Sequence, residues 1–227
     1  MLVLALDTTT RSGSCALVSD GRVLREEVSE DTRPQAERLP ADLIGLLERT
    51  HVTLADVDVF AVATGPGSFT GLRIGIAAMQ GLAFATAKPL VGISGLDALA
   101  ALAPTQGTRV ATWVDAWRGE VYAALYEGTR EIEAPTVAPP HALLDRVGSG
   151  SIVFIGDGAD TFRQVIAERL GLSGRIADPV RPALAGAVAR LAQAVATAGH
   201  CPDPREIRPL YVRRPDVILA RDARTTR

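Results

Sequence analysis

Hydrophobic residues occur in short runs separated by polar turns, a pattern that predicts alternating strands and helices. Residues 2–6 predict a buried strand ending at Asp7, strands over 14–19 and 22–30 follow, and leucines at helical spacing predict a helix over 35–50. The next predicted elements are a strand over 58–63, a helix over 71–87 and a strand over 89–93. The first hundred residues are therefore predicted to run βββαβαβ.

The second half of the chain repeats part of this plan. The pattern of a strand, an aspartate, a turn with a glycine and another strand occurs at Asp7 and again at Asp115, which predicts two related halves. The remaining predicted strands are 109–114, 120–127, 131–137 and 151–155, with helices over 98–103, 159–170 and 184–198. We predict an α/β protein of two lobes, each a mixed sheet with flanking helices.

The lobe boundary is predicted in the turn-forming residues 104–107, which separate two sets of strands. The first lobe is then 1–104 and the second 105–204, while an extended segment near 205–215 returns to the first lobe. The last 15 residues carry five arginines against two aspartates, so 214–227 are predicted to be a mobile tail.

A glycine-rich loop, GPGSFTGLRIG at 65–75, joins a predicted strand to the most apolar helix of the chain. A glycine turn before a helix can bind phosphate through free backbone N–H groups. Leu72-Arg73 stands where a P-loop needs Lys-Ser or Lys-Thr, and the glycine spacing differs from the dinucleotide fingerprint. A tight turn with a closely packed helix is the alternative, and both interpretations stay open here.

The helix after this loop is apolar nearly all round, which is typical of a helix covered on several sides. One side therefore suits a partner chain, and we predict that the Gly71, Gly75 and Ala78 face packs within the protein. The predicted partner interface consists of residues on and beside the opposite face, together with one residue of the preceding helix: Leu72, Arg73, Ile76, Met79, Gln80, Ala83 and Leu39.

Composition narrows the class of protein. The 227 residues carry a formal charge of −2, which gives no global attraction to nucleic acid or anionic membrane. Two distant cysteines form no disulfide framework, the N-terminus reads as a strand and not as a leader, and no run is long enough to span a membrane. We expect a cytoplasmic protein with no membrane association.

Candidate chemistry is sparse. The three histidines are dispersed and no zinc, thiol or nucleophile motif occurs, so no metal, cofactor or catalytic residue is predicted, and peptidase activity is not expected. The candidates for a vestigial nucleotide cleft follow strand ends: Asp7, Thr8, Thr9, Asp115, Gly156 and Gly158. An aspartate that anchors a turn explains the same residues.

Four segments resemble the bacterial TsaB family, also called YeaZ: DTT at 7–9, GPGSFTGLRIG at 65–75, DAWRGEVY at 115–122 and PLYVR at 209–213. The resemblance spans the chain, and the 65–75 segment is highly specific. It implies the two-lobed fold of actin, Hsp70 and sugar kinases, also termed the ASKHA or RNase H-like fold. Gln35 stands where many relatives have a histidine before Ala-Glu-Arg-Leu, which puts in doubt any contact made through that imidazole.

The resemblance also implies partners. The family is a noncatalytic subunit that binds TsaD, the enzyme that transfers threonylcarbamoyl to the adenosine beside the tRNA anticodon. TsaE, an ATPase, joins that complex, and tRNA is reached only through the complex. From the apolar helix itself we predict that the isolated protein forms a homodimer through the surface it offers to TsaD, because an exposed apolar face favours burial against a second copy. An autonomous ATP-binding kinase of the actin-like class is the alternative.

Overall fold

The computed structural model describes residues 1–10, 12–29, 34–104, 108–148 and 150–213. The predicted tail 214–227 and most of the predicted linker lie outside these residues. The strands are β1 (Leu2–Asp7), β2 (Ser14–Ser19), β3 (Arg22–Val28), β4 (Val59–Gly65), β5 (Leu90–Ser94), β6 (Arg109–Asp115), β7 (Val121–Glu127), β8 (Arg130–Ala138), β9 (Ile152–Ile155) and β10 (Gly174–Ile176). The α-helices are α1 (Gln35–Thr50), α2 (Phe69–Thr86), α3 (Gly95–Leu102), α4 (Pro140–Leu144), α5 (Asp157–Thr161), α6 (Arg163–Leu170) and α7 (Ala185–Thr197).

The described strands form two sheets with the same topology. The first has the order β3-β2-β1-β4-β5, and the second, read from its other edge, β8-β7-β6-β9-β10. In both, the first three strands are antiparallel neighbours and the fourth is parallel to the first. The predicted βββαβαβ order, the fold class and the internal repeat are confirmed.

Alternation along the strands places side chains in separate cores. On β1, Leu4 and Leu6 face a core shared with α1 and α2, whereas Val3 and Ala5 face a core shared with α3 and α7. The second core also contains side chains of β6 and β7, so α3 and α7 lie between the sheets. Helices α4 to α6 cover the far face of the second sheet. The result is five alternating layers of helix and sheet.

Helix α7 departs from the predicted grouping. Although 185–197 falls within the predicted second lobe, α7 packs on β1, β2, β4 and β5 of the first sheet. Its small alanine and glycine residues permit this close approach between the sheets. The segment after it also contacts the first sheet, since Leu210 N–H donates to the Thr64 carbonyl at 2.7 Å.

Three other elements differ from the sequence analysis. The predicted helix over 159–170 is two helices, α5 and α6, interrupted at Phe162, which has a φ of −106°. Helix α4 and strand β10 were not predicted, because elements of five and three residues are too short for a periodic pattern to show. Within the described residues, no helix is both long and apolar enough to cross a membrane.

Candidate functional site

The turn after β1 is organised by a buried aspartate. Asp7 Oδ1 accepts a hydrogen bond from Thr9 N–H at 2.8 Å, and the carboxyl group is almost fully buried. Burial raises the pKa of Asp7 to about 6, against the opposing effect of the hydrogen bonds from Thr9. The amide of Thr9, which an anion would need as a donor, is thus already used by the protein.

Three glycines bring the loop before α2 and the start of α2 against this turn. A Cβ atom on Gly67 would lie 2.3 Å from the Thr9 carbonyl oxygen, one on Gly71 2.4 Å from the Thr8 carbonyl oxygen and one on Gly75 2.2 Å from Thr8 Oγ1. Only glycine permits such contacts. The tight-turn interpretation of the glycine loop is the one that the packing supports.

Gln35 at the start of α1 holds the same turn. Its Nε2 donates to the Thr10 carbonyl at 2.7 Å and lies 3.5 Å from that of Thr8. Gln35 therefore anchors α1 to the turn after β1 through backbone acceptors.

The turn after β6 has the same local hydrogen bond in a different setting. Asp115 Oδ1 accepts from Trp117 N–H at 2.8 Å, while Asp115 N–H donates to Asp157 Oδ1 at 2.9 Å. Burial raises the pKa of Asp157, and the charge of Asp115 adds to this effect. Trp117 and Arg118 both have positive φ, +56° and +57°, and the Trp117 side chain is exposed.

The glycines after β9 also serve close packing. Gly156 has a φ of +114°, and a Cβ atom there would lie 2.1 Å from the Trp113 carbonyl oxygen. A Cβ atom on Gly158 would lie 3.0 Å from the backbone of Trp113. Both positions are thus explained by the approach of α5 to the end of β6.

The two turns face each other across a cleft of about 400 Å³. Four of the six predicted cleft residues line it, namely Asp7, Thr9, Asp115 and Gly156, whereas Thr8 and Gly158 do not. The structure adds residues that the sequence analysis did not select as cleft candidates: Trp117, Asp157 and Arg181.

The lining of the cleft carries more acidic than basic side chains. Three carboxyl groups line it against one guanidinium, that of Arg181, which is paired with Asp160 at 2.8 Å. Three amides at the two turns, those of Thr9, Asp115 and Trp117, donate to carboxyl groups. Among the described residues, no group of three His, Cys, Asp or Glu side chains could hold a metal ion.

Helix α2 buries the face that the sequence analysis assigned to a partner. Leu72, Ile76, Met79 and Ala83 are buried within the protein, with Met79 at 0% exposure, and Leu39 of α1 is buried with them. The prediction that these five residues face a partner chain was wrong. Because α2 is apolar nearly all round, its pattern did not mark the side that meets the first sheet.

The other two predicted interface residues hold the C-terminal segment. Gln80 Nε2 donates to the Pro204 carbonyl at 2.7 Å and lies 3.3 Å from that of Ile207. Arg73 Nε donates to the Tyr211 hydroxyl at 3.0 Å, and its guanidinium carbon lies 3.8 Å from the centroid of the Phe69 ring. Arg73 is exposed and Gln80 is half-buried.

Apolar residues nevertheless remain exposed on the outer side of α1 and α2. Phe84 is 53% exposed and Ile44 is 56% exposed. We call the outer α1–α2 surface the set Ile44, Ala77, Gly81, Phe84 and Ala85. A Cβ atom on Gly81 would meet no atom of the described residues within 4 Å, so no close approach among them explains this glycine.

Two mixed sheets of equivalent order, facing each other across a cleft, place the protein in the two-lobed actin-like class. A representative of this class, component A of (R)-2-hydroxyglutaryl-CoA dehydratase from Acidaminococcus fermentans, has a TM-score of 0.57 at 13% identity over 87% of this chain and 99% of that chain. At this identity the likeness is one of fold alone.

The chain belongs to the TsaB family, also called YeaZ. It is 35% identical to TsaB of Escherichia coli over 167 residues, 70% of this chain and 72% of that protein. The structure of YeaZ from Pseudomonas aeruginosa has a TM-score of 0.75 at 32% identity over 92% of this chain and 99% of that chain. Residues 23–207 match the family model described as TsaD, tRNA N6-adenosine threonylcarbamoyltransferase.

Proposed function

We propose that the protein is a noncatalytic subunit of tRNA threonylcarbamoyladenosine synthesis that binds and supports TsaD. The Escherichia coli relative is named a tRNA threonylcarbamoyladenosine biosynthesis protein. Membership of the same family supports a role for this chain in that biosynthesis. The observation that carries the scaffold role is the exposed apolar surface of α1 and α2, whose opposite sides form a well-packed core.

The outer α1–α2 surface has the composition of a protein contact. The exposed side chains of Phe84 and Ile44 supply apolar area, and the small exposed residues of α2 let a partner helix come close. The surface suits TsaD and, in the isolated protein, a second copy of the chain. An interface of ordinary size would bury about 1,600 Å² in total.

The cleft supports a noncatalytic role. Asp7 and Asp115 each accept a hydrogen bond from an amide of their own turn, and Asp157 accepts one from Asp115. A carboxylate used in this way anchors the backbone of its turn, which accounts for these aspartates without a catalytic role. In this proposal catalysis is supplied by TsaD and ATP hydrolysis by TsaE, with tRNA brought to the assembly.

Glutamate substitutions on the outer α1–α2 surface test the proposal. Phe84→Glu and Ala77→Glu each place a charge where a partner would exclude water. The dissociation constant for TsaD should therefore rise at least about thirtyfold, and TsaD should no longer co-elute with either variant. The matched control is Leu172→Glu, which changes a 98% exposed apolar residue beyond α6. All three variants should keep the wild-type circular dichroism and melting temperature.

Two results would contradict this role. If Phe84→Glu and Ala77→Glu both bind TsaD as tightly as the wild type, the outer α1–α2 surface is not the surface that binds TsaD. Threonylcarbamoyl transfer to tRNA by the protein without TsaD would contradict the noncatalytic role. Light scattering of the same variants should show loss of the homodimer in parallel with loss of TsaD binding.

The alternative function, an autonomous ATP-binding protein, can be tested at the cleft. Its volume of about 400 Å³ and the facing aspartates are the observations that favour it. Calorimetry should detect no ATP binding at micromolar concentrations, because the turn amides already donate to carboxylates. Micromolar binding that Asp7→Ala abolishes would favour the alternative.

A further inference from the structure

A cluster of two aromatic rings and one guanidinium lies on the surface where α2 begins. Phe69 and Tyr211 have ring centroids 5.3 Å apart, and they remain 41% and 40% exposed. Arg73 lies over the Phe69 ring and donates to the Tyr211 hydroxyl. Arg73 and Tyr211 are 138 positions apart in the sequence. We call them the Phe69–Arg73–Tyr211 cluster.

The positive charge of this cluster is not neutralised by a neighbouring carboxylate. Among the described residues, the polar contact of Arg73 is the Tyr211 hydroxyl, and no ion pair includes it. Arg208, three residues before Tyr211, donates to the carbonyls of Arg205 and Ile207. Two guanidinium groups without carboxylate partners thus accompany two exposed rings.

The chain that carries Tyr211 continues into its most basic stretch. Residues 213–227 contain five arginines and two aspartates, although the whole protein has a formal charge of −2. One of the five, Arg213, is paired with Glu120. Basic residues beside two neighbouring, partly exposed aromatic rings are a combination that suits single-stranded nucleic acid. Bases stack on the rings and phosphates pair with guanidinium groups.

We propose that the Phe69–Arg73–Tyr211 cluster binds unpaired bases of a single-stranded RNA loop. This rests on the proposed function for the identity of the RNA as a tRNA, and it departs from the expectation that tRNA is reached only through the complex. Phe69 and Phe84 are fifteen positions apart on α2, about 22 Å along the helix axis, so RNA and TsaD can be bound at opposite ends.

Fluorescence anisotropy with a labelled RNA stem-loop that contains an unpaired anticodon loop tests the cluster. Tyr211→Ala removes a stacking ring and should weaken binding about tenfold, whereas Tyr211→Phe keeps the ring and should bind within about twofold of wild type. Arg73→Gln should also weaken binding and lower the salt slope of log Kd by about 0.7, the value for one contact to a single strand.

Matched probes and variants make the result specific. Arg190→Gln removes one exposed arginine of α7 and should leave binding within about twofold of wild type. The labelled strand annealed to its complement should bind more weakly than the stem-loop, because its bases are already stacked. Circular dichroism and thermal melts should show that every variant is folded.

Several outcomes would overturn the proposal. The first is that the wild type does not bind the stem-loop. The second is that it binds the annealed duplex as tightly as the stem-loop, and the third is that Tyr211→Ala and Arg73→Gln both bind the stem-loop as tightly as the wild type. Loss of TsaD binding in these two variants, with RNA binding unchanged, would make the cluster a protein contact. Phe84→Glu separates the proposals, since it should lose TsaD and keep RNA. Failure of the wild type to bind TsaD would contradict the proposed function alone.

Discussion

The two turns that border the cleft have the same local structure and opposite surroundings. Each follows the first strand of its sheet, and in each an aspartate accepts the amide of the residue two positions later at 2.8 Å. Asp7 is almost fully buried, whereas Asp115 is half-buried and is followed by an exposed tryptophan. The repeat therefore preserved the topology and the hydrogen bond from amide to aspartate, but not solvent access.

The helices beside the turns account for this difference. In the first sheet, α2 runs unbroken for 18 residues, and glycines one helical turn apart bring its start onto the turn. In the second, the equivalent region is divided into α5 and α6. The bulky Trp117 and Arg118 have left-handed backbone conformations at an open edge. A turn is buried where a glycine face covers it, and it stays in solvent where no such face exists.

The largest expected effect comes from equivalent glycines at the ends of β4 and β9. Gly65 and Gly156 have φ values of +109° and +114°, but the added Cβ would meet a flexible leucine in the first case and a backbone carbonyl in the second. Gly156→Ala should reduce the free energy of unfolding by about 4 kcal/mol, and Gly65→Ala by about 2 kcal/mol. Urea denaturation measures both, and equal losses would contradict the assigned difference in packing.

The second effect follows from burial of Asp7. Burial raises the pKa of its carboxyl group in the folded protein from the ordinary 3.8 to about 6. Because the folded state binds more protons between these values, the free energy of unfolding falls as pH rises from 4 to 6, by up to about 3 kcal/mol. Asp7→Asn removes this loss and keeps an oxygen for Thr9 N–H.

The advantage of Asp7→Asn over wild type should therefore grow from pH 4 to pH 7. Urea denaturation at the two pH values measures it. The matched change Asp115→Asn, at the half-buried turn, should alter stability at pH 7 by less than about 1 kcal/mol. If Asp7→Asn is less stable than wild type at pH 7, the ionised carboxylate contributes more than its burial costs.

The third effect compares glycines within α2. Gly75→Ala forces a Cβ atom against buried Thr8 Oγ1, 2.2 Å away, and should cost about 2 kcal/mol. Gly81→Ala meets open space and should stabilise the protein by about 1 kcal/mol through helix propensity. Opposite shifts in the melting temperature would confirm that only the first glycine serves the turn. A stabilising Gly75→Ala would disprove that contact.

The smallest effect concerns the open turn. Trp117 has a φ of +56°, a conformation that asparagine adopts more readily than tryptophan. Trp117→Asn should raise the free energy of unfolding by about 0.5 kcal/mol, and the melting temperature by about 1–2 °C. If the free energy of unfolding decreased instead, the exposed indole would make a stabilising contact in the wild type. The turn after β6 would then be less exposed to solvent in solution than it is in the structure.

The sequence by itself determined the strands, their repeated order and the anchored aspartates. Strand runs and the turn residues between them are local signals, so β1 to β7 and helices α1 and α2 could be predicted with small differences at their ends. The distinctive loop at 65–75 was sufficient to indicate the family. These features depend on residues that are neighbours in the chain.

The tertiary structure decided which sides of these elements are covered. The apolar pattern of α2 could not show that Met79 faces the protein and Phe84 faces solvent, since both sides are apolar. The pairing of Arg73 with Tyr211 joins residues 138 positions apart, and α7 crosses to the first sheet from beyond the second. Such choices depend on the packing of distant segments, because burial is a property of the surrounding fold and not of the local periodicity.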